Sequence, residues 1–159
     1  MKKFFILIAL FIVSATTTYA QFEKGKWYIN GSFIGIGPSD AKHFDGNNGI
    51  GLEVGNFLED NFALTVNYKL AHYYHSIGAQ TKYYLSNCGI YGGMGVSYKS
   101  ITNSEGSKKH IVSFTPEVGY AFFLNGFMTI EPSIYYNFSI DRPADYSMFG
   151  LKLGLGFYF

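Results

Sequence analysis

From about residue 26 to the end of the chain, large apolar side chains recur at every second position in eight segments of similar length, set apart by turn signals. A period of two is that of a β-strand with one apolar face. The segments fall at about 26–37, 48–58, 62–73, 76–86, 89–100, 110–123, 127–139 and 148–159, each close to the length of a tilted membrane strand. Their connectors alternate in kind. Glu59-Asp60-Asn61, Ser86 to Cys88 and Leu124-Asn125-Gly126 are tight turns. Residues 38–47, 101–109 and 140–147 are longer and carry Asp40, Lys42, Asp45, Glu105, Lys108, Lys109, Asp141, Arg142 and Asp145. The fourth long-side connection shrinks to a turn at Tyr74-His75. Long loops at one end and short turns at the other are the pattern of an up-and-down barrel, with both termini on the short-turn side.

Parity assigns the faces. Even positions are apolar in segments two, three, five, six and seven, with Val54, Val66, Val96, Val118 and Ile134 as examples, and odd positions are apolar in segments four and eight. Across the 74–75 turn this predicts pairs 72 with 77, 70 with 79, 68 with 81 and 66 with 83, which keep outward residues outward. In segment one Trp27, Ile29 and Phe33 share a face that Ile34 and Ile36 do not, so a bulge is expected near Phe33–Gly35.

An alternating barrel could turn its apolar face to a core or to lipid, and composition separates the two. The opposite face carries Glu53, Lys69, Lys82, Lys99, Glu117, Glu131 and Lys152, too few charges to clothe a soluble exterior. Charged residues make up 14% of the chain, against roughly 25% in soluble domains, while Gly, Tyr and Phe number 19, 14 and 16. Aromatics gather at the strand ends. Trp27, Tyr28, Phe57, Phe62, Tyr83, Tyr84, Phe122, Phe123, Phe127, Phe157 and Phe159 lie toward the short-turn end, and Tyr68, Tyr73, Tyr74, Tyr98, Tyr136, Phe138 and Phe149 toward the long-loop end. Such belts mark membrane interfaces. Beyond the N-terminus no apolar run reaches the roughly 20 residues of a membrane helix, which leaves a closed barrel as the spanning structure. The expected fold is all-β, an eight-stranded antiparallel up-and-down transmembrane β-barrel.

The first 20 residues read as a cleaved signal peptide: Met1-Lys2-Lys3, an apolar stretch from Phe4 to Val13, and a small-residue end at Ala20. The barrel domain is then 21–159. Without Lys2 and Lys3 it holds 10 basic and 11 acidic residues, a formal charge of −1, which excludes nucleic acid as a partner. Cys88 is the single cysteine, so no internal disulfide forms.

Eight strands enclose a lumen just wide enough to be filled by side chains. Glu53, Asn67, Lys82, Glu117, Glu131 and Lys152 all lie about five to seven residues above the short turns, with Lys69 one step higher. They predict a belt of ion pairs and hydrogen bonds, and so a polar plug in place of a pore. Inward glycines, including Gly93, Gly119, Gly154 and Gly156, make room for Tyr84, Tyr91, Tyr135 and Tyr158. Catalysis finds little support. Glu117 and Glu131 could form a carboxylate pair, but the lysines on their level favour salt bridges. His75 with Ser76, and His110 with Ser113, fall on opposite faces of a strand. Asp40, His43 and Asp45 read as a solvated loop in preference to a metal site, and His72 as part of the loop-side aromatic belt. No enzyme, cofactor or metal is expected.

The chain ends Lys152-Leu153-Gly154-Leu155-Gly156-Phe157-Tyr158-Phe159. A polar residue, Gly two on and aromatics five and seven on, here Lys152, Gly154, Phe157 and Phe159, resemble the C-terminal assembly signal of bacterial outer-membrane barrels. With the signal peptide, the eight segments and the aromatic belts, the chain resembles the small outer-membrane barrels related to the OmpA transmembrane domain, OmpX and OmpW. The resemblance implies the cell outer membrane with periplasmic termini, contact with its lipid, and insertion by the outer-membrane assembly machinery. No peptidoglycan-binding domain follows the last strand, so cell-wall anchoring is not expected. The function expected is that of a monomeric structural or surface-recognition barrel. An OmpW-like conduit for small hydrophobic molecules is the alternative, followed by a lipid-modifying enzyme.

Overall fold

The alternating segments become strands, and the strands close on themselves. The computed structural model describes residues 22–36, 48–71, 74–85, 88–102, 108–140, 143 and 147–159. In chain order the strands are β1 (Trp27–Ile36), β2 (Gly49–Glu59), β3 (Phe62–Ala71), β4 (Tyr74–Tyr84), β5 (Ile90–Thr102), β6 (Lys108–Tyr120), β7 (Phe122–Phe123), β8 (Met128–Ser139) and β9 (Met148–Tyr158). The short β7 continues the line of β6 past Ala121, so the wall has eight staves, each paired antiparallel with its neighbours. Pairing of β1 with β9 joins the last stave to the first. There Trp27 donates to the Phe159 carbonyl at 2.7 Å, and Phe159 donates back at 3.0 Å.

The termini share one end of the barrel with the tight turns. In the first of these Asn61 takes a left-handed backbone, φ 64°, a conformation to which Asn is well suited. The proposed signal peptide, the loops holding Asp40, His43 and Asp45, and His72 lie outside the described residues.

Outward positions form a wall of exposed apolar side chains. Val66, Val96, Val118, Ile134, Leu151 and Leu153 are among them, each about half exposed. A soluble surface does not concentrate apolar side chains over a whole circumference, so this wall is built for lipid. Inward positions are instead mostly polar, glycine or tyrosine, with apolar clusters at either end of the lumen.

Three expectations need correction. The β3–β4 hairpin pairs Tyr68 with Ile77 and Leu70 with His75, in place of the expected 68 with 81 and 70 with 79, so Tyr74 and His75 belong to β4 and not to the turn. Parity fixes register only up to steps of two residues, and this displacement keeps every outward residue outward. The bulge at Phe33–Gly35 is absent, because β1 runs in unbroken register with both neighbours. Ile34 simply points inward, 2% exposed, into space left open by Gly51. Finally, Tyr28, Phe57, Tyr84 and Tyr74 are buried in the lumen and take no part in the outer aromatic belts.

The seam between β6 and β8 differs from the others. Ile140 donates to Val112 at 3.0 Å near the loop end, and Leu124 to Met128 at 2.9 Å near the turn end. Hydrogen-bonded pairs in an antiparallel ladder recur every second residue. Between those two bonds, in register with Val118↔Ile134, Pro116 therefore faces Tyr136 and Pro132 faces Tyr120 at bonded positions. A proline has no N–H to give, so the seam forfeits two rungs. Ladder pairing is interrupted at both places.

Candidate functional site in the lumen

The turn-end mouth is closed by aromatic rings. Phe22, just ahead of β1, stacks on Tyr84 with centroids 4.1 Å apart and packs edge-on to Tyr158 at 5.6 Å. Phe57, Tyr28 and Tyr91 complete this lid. Backbone bonds from Asn61 to Phe22 and from Gly25 to Phe57 hold the N-terminal segment across the opening. The sequence reading missed Phe22, since it lies outside any strand and carries no periodic signal.

Above the lid the tyrosine hydroxyls turn toward carboxylates. Glu131, fully buried, accepts from Tyr28 at 2.6 Å, Tyr158 at 2.6 Å, Thr129 at 2.7 Å and the Asn30 amide at 3.2 Å. Glu117 accepts from Lys152 at 2.6 Å, Tyr91 at 3.0 Å and Gln80 at 3.2 Å. Glu53 accepts from Thr65 at 2.7 Å, sits 3.0 Å from Lys82 and 3.7 Å from Lys152. Lys82, wholly buried, also donates to the Tyr28 hydroxyl at 3.0 Å and lies 4.0 Å from Glu131. These five ionisable residues thus form one connected network. Each carboxylate has several donors, as a buried charge requires.

Glycines opposite the large groups make the network fit. A side chain at Gly119 would meet the Tyr91 hydroxyl at 2.5 Å, and one at Gly156 would meet Glu131 at 2.5 Å. Gly150 does the same for Tyr135.

Two expected members stand apart. Among the described residues Lys69 forms no ion pair with a carboxylate, and its ammonium lies 4.9 Å over the Tyr135 ring. Asn67 is buried with its Oδ1 unpaired. Conversely, Lys99 belongs to the lumen interior, 3% exposed. Its ammonium is 3.9 Å from the Met148 sulfur and 5.7 Å from the Tyr74 ring. On the loop side of the network Tyr74, Ile101, Ile111 and Met148 form a second apolar cluster.

The other candidates stay apart. His75 is exposed beside buried Ser76, and exposed His110 stacks on Tyr98 at 5.4 Å, away from buried Ser113. Cys88 is partly buried, and its sulfur lies 3.7 Å from the Leu85 carbonyl. Among the described residues no group of three His, Cys, Asp or Glu could hold a metal. Of the terminal motif, Lys152 and Gly154 face the lumen, Phe157 is partly buried, and Phe159 is 65% exposed.

Over the β6–β8 seam the outer wall is indented. A groove of about 590 Å³ is lined by Phe33, Val118, Tyr120, Pro132, Ile134, Leu151 and Leu153, and at its floor by the inward residues Gly119, Ser133 and Lys152. A second, of about 180 Å³, lies over Pro116 and is floored by Glu117 and Tyr135.

No protein-family model and no curated protein matches the sequence, but solved structures match the fold. The N-terminal β-barrel domain of OprF from Pseudomonas aeruginosa superposes with a TM-score of 0.71 at 16% identity, over 86% of this chain and 98% of that one. The outer membrane protein OprG from the same organism gives 0.63 at 16% identity, over 87% and 98%. The outer membrane protein Ail from Yersinia pestis gives 0.55 at 16% identity, over 86% and 100%. This chain has the fold of the small eight-stranded outer-membrane β-barrels, the group that its strand pattern resembled.

Proposed function

We propose that the chain is an integral outer-membrane barrel with a plugged polar lumen, both termini in the periplasm, and a structural or surface-recognition role. The observation that carries this reading is the filled interior. An aromatic lid lies across the turn end, and directly above it the buried glutamates Glu53, Glu117 and Glu131 and two of the lysines are tied into one network. Such a lumen leaves no continuous water path for ions. The exposed apolar wall supports membrane integration, and the shared fold supports the outer membrane in particular. Lys152, Gly154, Phe157 and Phe159 serve in this reading as the signal for the outer-membrane assembly machinery. Planar-bilayer recordings test the plug: the reading expects no steady open current, and a large ohmic conductance would replace it with a channel.

The β6–β8 seam favours a second reading. Two missing rungs and an apolar groove floored by lumen residues make this the place where the wall would part most cheaply, as a sideways passage for small hydrophobic molecules requires. Uptake of such a molecule into liposomes, abolished when a disulfide pins β6 to β8, would support it; uptake indifferent to that crosslink would remove it.

A further inference from the structure

On the loop side of the network the lumen holds two lysines that form no ion pair with any carboxylate among the described residues. Lys69 pairs in register with Ser76, and Ser76 with Lys99, so the three inward side chains stand in one row across β3, β4 and β5. Two strand spacings separate the lysine backbones, roughly 10 Å. Lys69 is 9% exposed, Ser76 1% and Lys99 3%. The Ser76 hydroxyl between them has no hydrogen-bond partner, and neither has that of Ser113. Among the described residues, neither ammonium lies within ion-pair distance of a carboxylate.

The rings they face do not balance the cost of burial. A cation–π contact returns only a fraction of what desolvating an ammonium costs. The charge count points the same way. Buried in the described lumen are four lysines, Lys69, Lys82, Lys99 and Lys152, against three glutamates, Glu53, Glu117 and Glu131. The surplus is one positive charge, and among the described residues it sits at the end that carries no acidic side chain.

We infer that the loop-side lumen is a binding site for one small monovalent anion, held between the ammonium groups of Lys69 and Lys99 with the Ser76 hydroxyl as a further donor. One such anion neutralises the interior and pairs the orphaned hydroxyl. An ion the size of chloride suits a filled lumen in which one serine hydroxyl stands between two lysines on adjacent strands, whereas a bulky organic anion does not. The site rests on the plugged-lumen reading, since an open pore would hydrate the lysines.

The test is thermal melting of the full mature chain in detergent micelles, with chloride replaced by gluconate at constant ionic strength. The parent should melt at a temperature that rises with the logarithm of chloride concentration, as for any ligand that binds only the folded state. Lys99→Gln and Lys69→Gln should each flatten that slope, while Lys99→Arg keeps it. Should either Gln variant fail to fold, line broadening of chloride-35 resonance by the folded parent, compared with Ser76→Ala, reads the same site. Melting that ignores chloride, or a chloride slope unchanged in both Gln variants, overturns the inference. A steady bilayer current would instead refute the plug itself, so the two failures are distinguishable.

Discussion

Replacing Lys82 by Met should destabilise this barrel by leaving buried carboxylates short of a counter-charge. Lys82 is wholly buried and is shared among Glu53 at 3.0 Å, the Tyr28 hydroxyl at 3.0 Å and Glu131 at 4.0 Å. Breaking a buried pair from one side costs about 3 to 5 kcal/mol, because a charge is left uncompensated. Here the loss should fall toward the lower figure, since Glu53 retains Thr65 at 2.7 Å and Lys152 at 3.7 Å, and Glu131 retains four other donors. Removing both partners, Lys82→Met with Glu53→Met, should recover much of the stability, because Lys152 then keeps Glu117 at 2.6 Å. The assay is reversible urea unfolding in lipid, followed by the fluorescence of Trp27, the single tryptophan of the chain. A Lys82→Met barrel as stable as the parent, or a double variant whose cost equals the sum of the singles, would show that water already screens these charges.

Deleting Phe157 to Phe159 should leave unfolded precursor in the periplasm, read as loss of the heat-modifiable band on a gel; undiminished folded protein contradicts an assembly role for these residues. On the lipid face, Val66→Arg and Val118→Arg should each cost roughly 2 to 4 kcal/mol in the same urea assay, and near-neutral values would mean that the wall faces water. Amide exchange should be faster at Tyr136 and Tyr120, beside the prolines, than at Met94 and Val96 in the neighbouring ladder. Equal protection would remove the weak seam.

How much of this could be read from the chain depends on what parity can and cannot say. Parity turns Glu53, Lys82, Glu117, Glu131 and Lys152 to one side, and distance from the tight turns brings them to one height. Followed strictly, parity would also have sent Tyr28, Phe57, Tyr74 and Tyr84 inward, because each sits at the lumen position of its own strand. Tyr28, Phe57 and Tyr74 read as belt aromatics, and Tyr84 as both belt and lumen, because a girdle and a lid both place aromatics at strand ends. Lys99 shares the inward parity, yet its juxtaposition with Lys69 requires the β3–β4–β5 register, and the β3–β4 pairing differs from the one that the alternation alone suggested. Pro116 and Pro132 were visible as residues, but their absent N–H groups acquire meaning only once β6 is known to lie beside β8 in a defined bonding phase.

The central claim is that lipid surrounds this wall on every side. Tryptophan placed singly at Val66, Val96, Val118 and Leu153, in a Trp27→Phe background, should be strongly quenched by lipids brominated near mid-chain at all four positions, which lie on four separate staves and are each about half exposed. Emission that ignores the bromine while remaining sensitive to an aqueous quencher would contradict the account and make this a water-borne barrel.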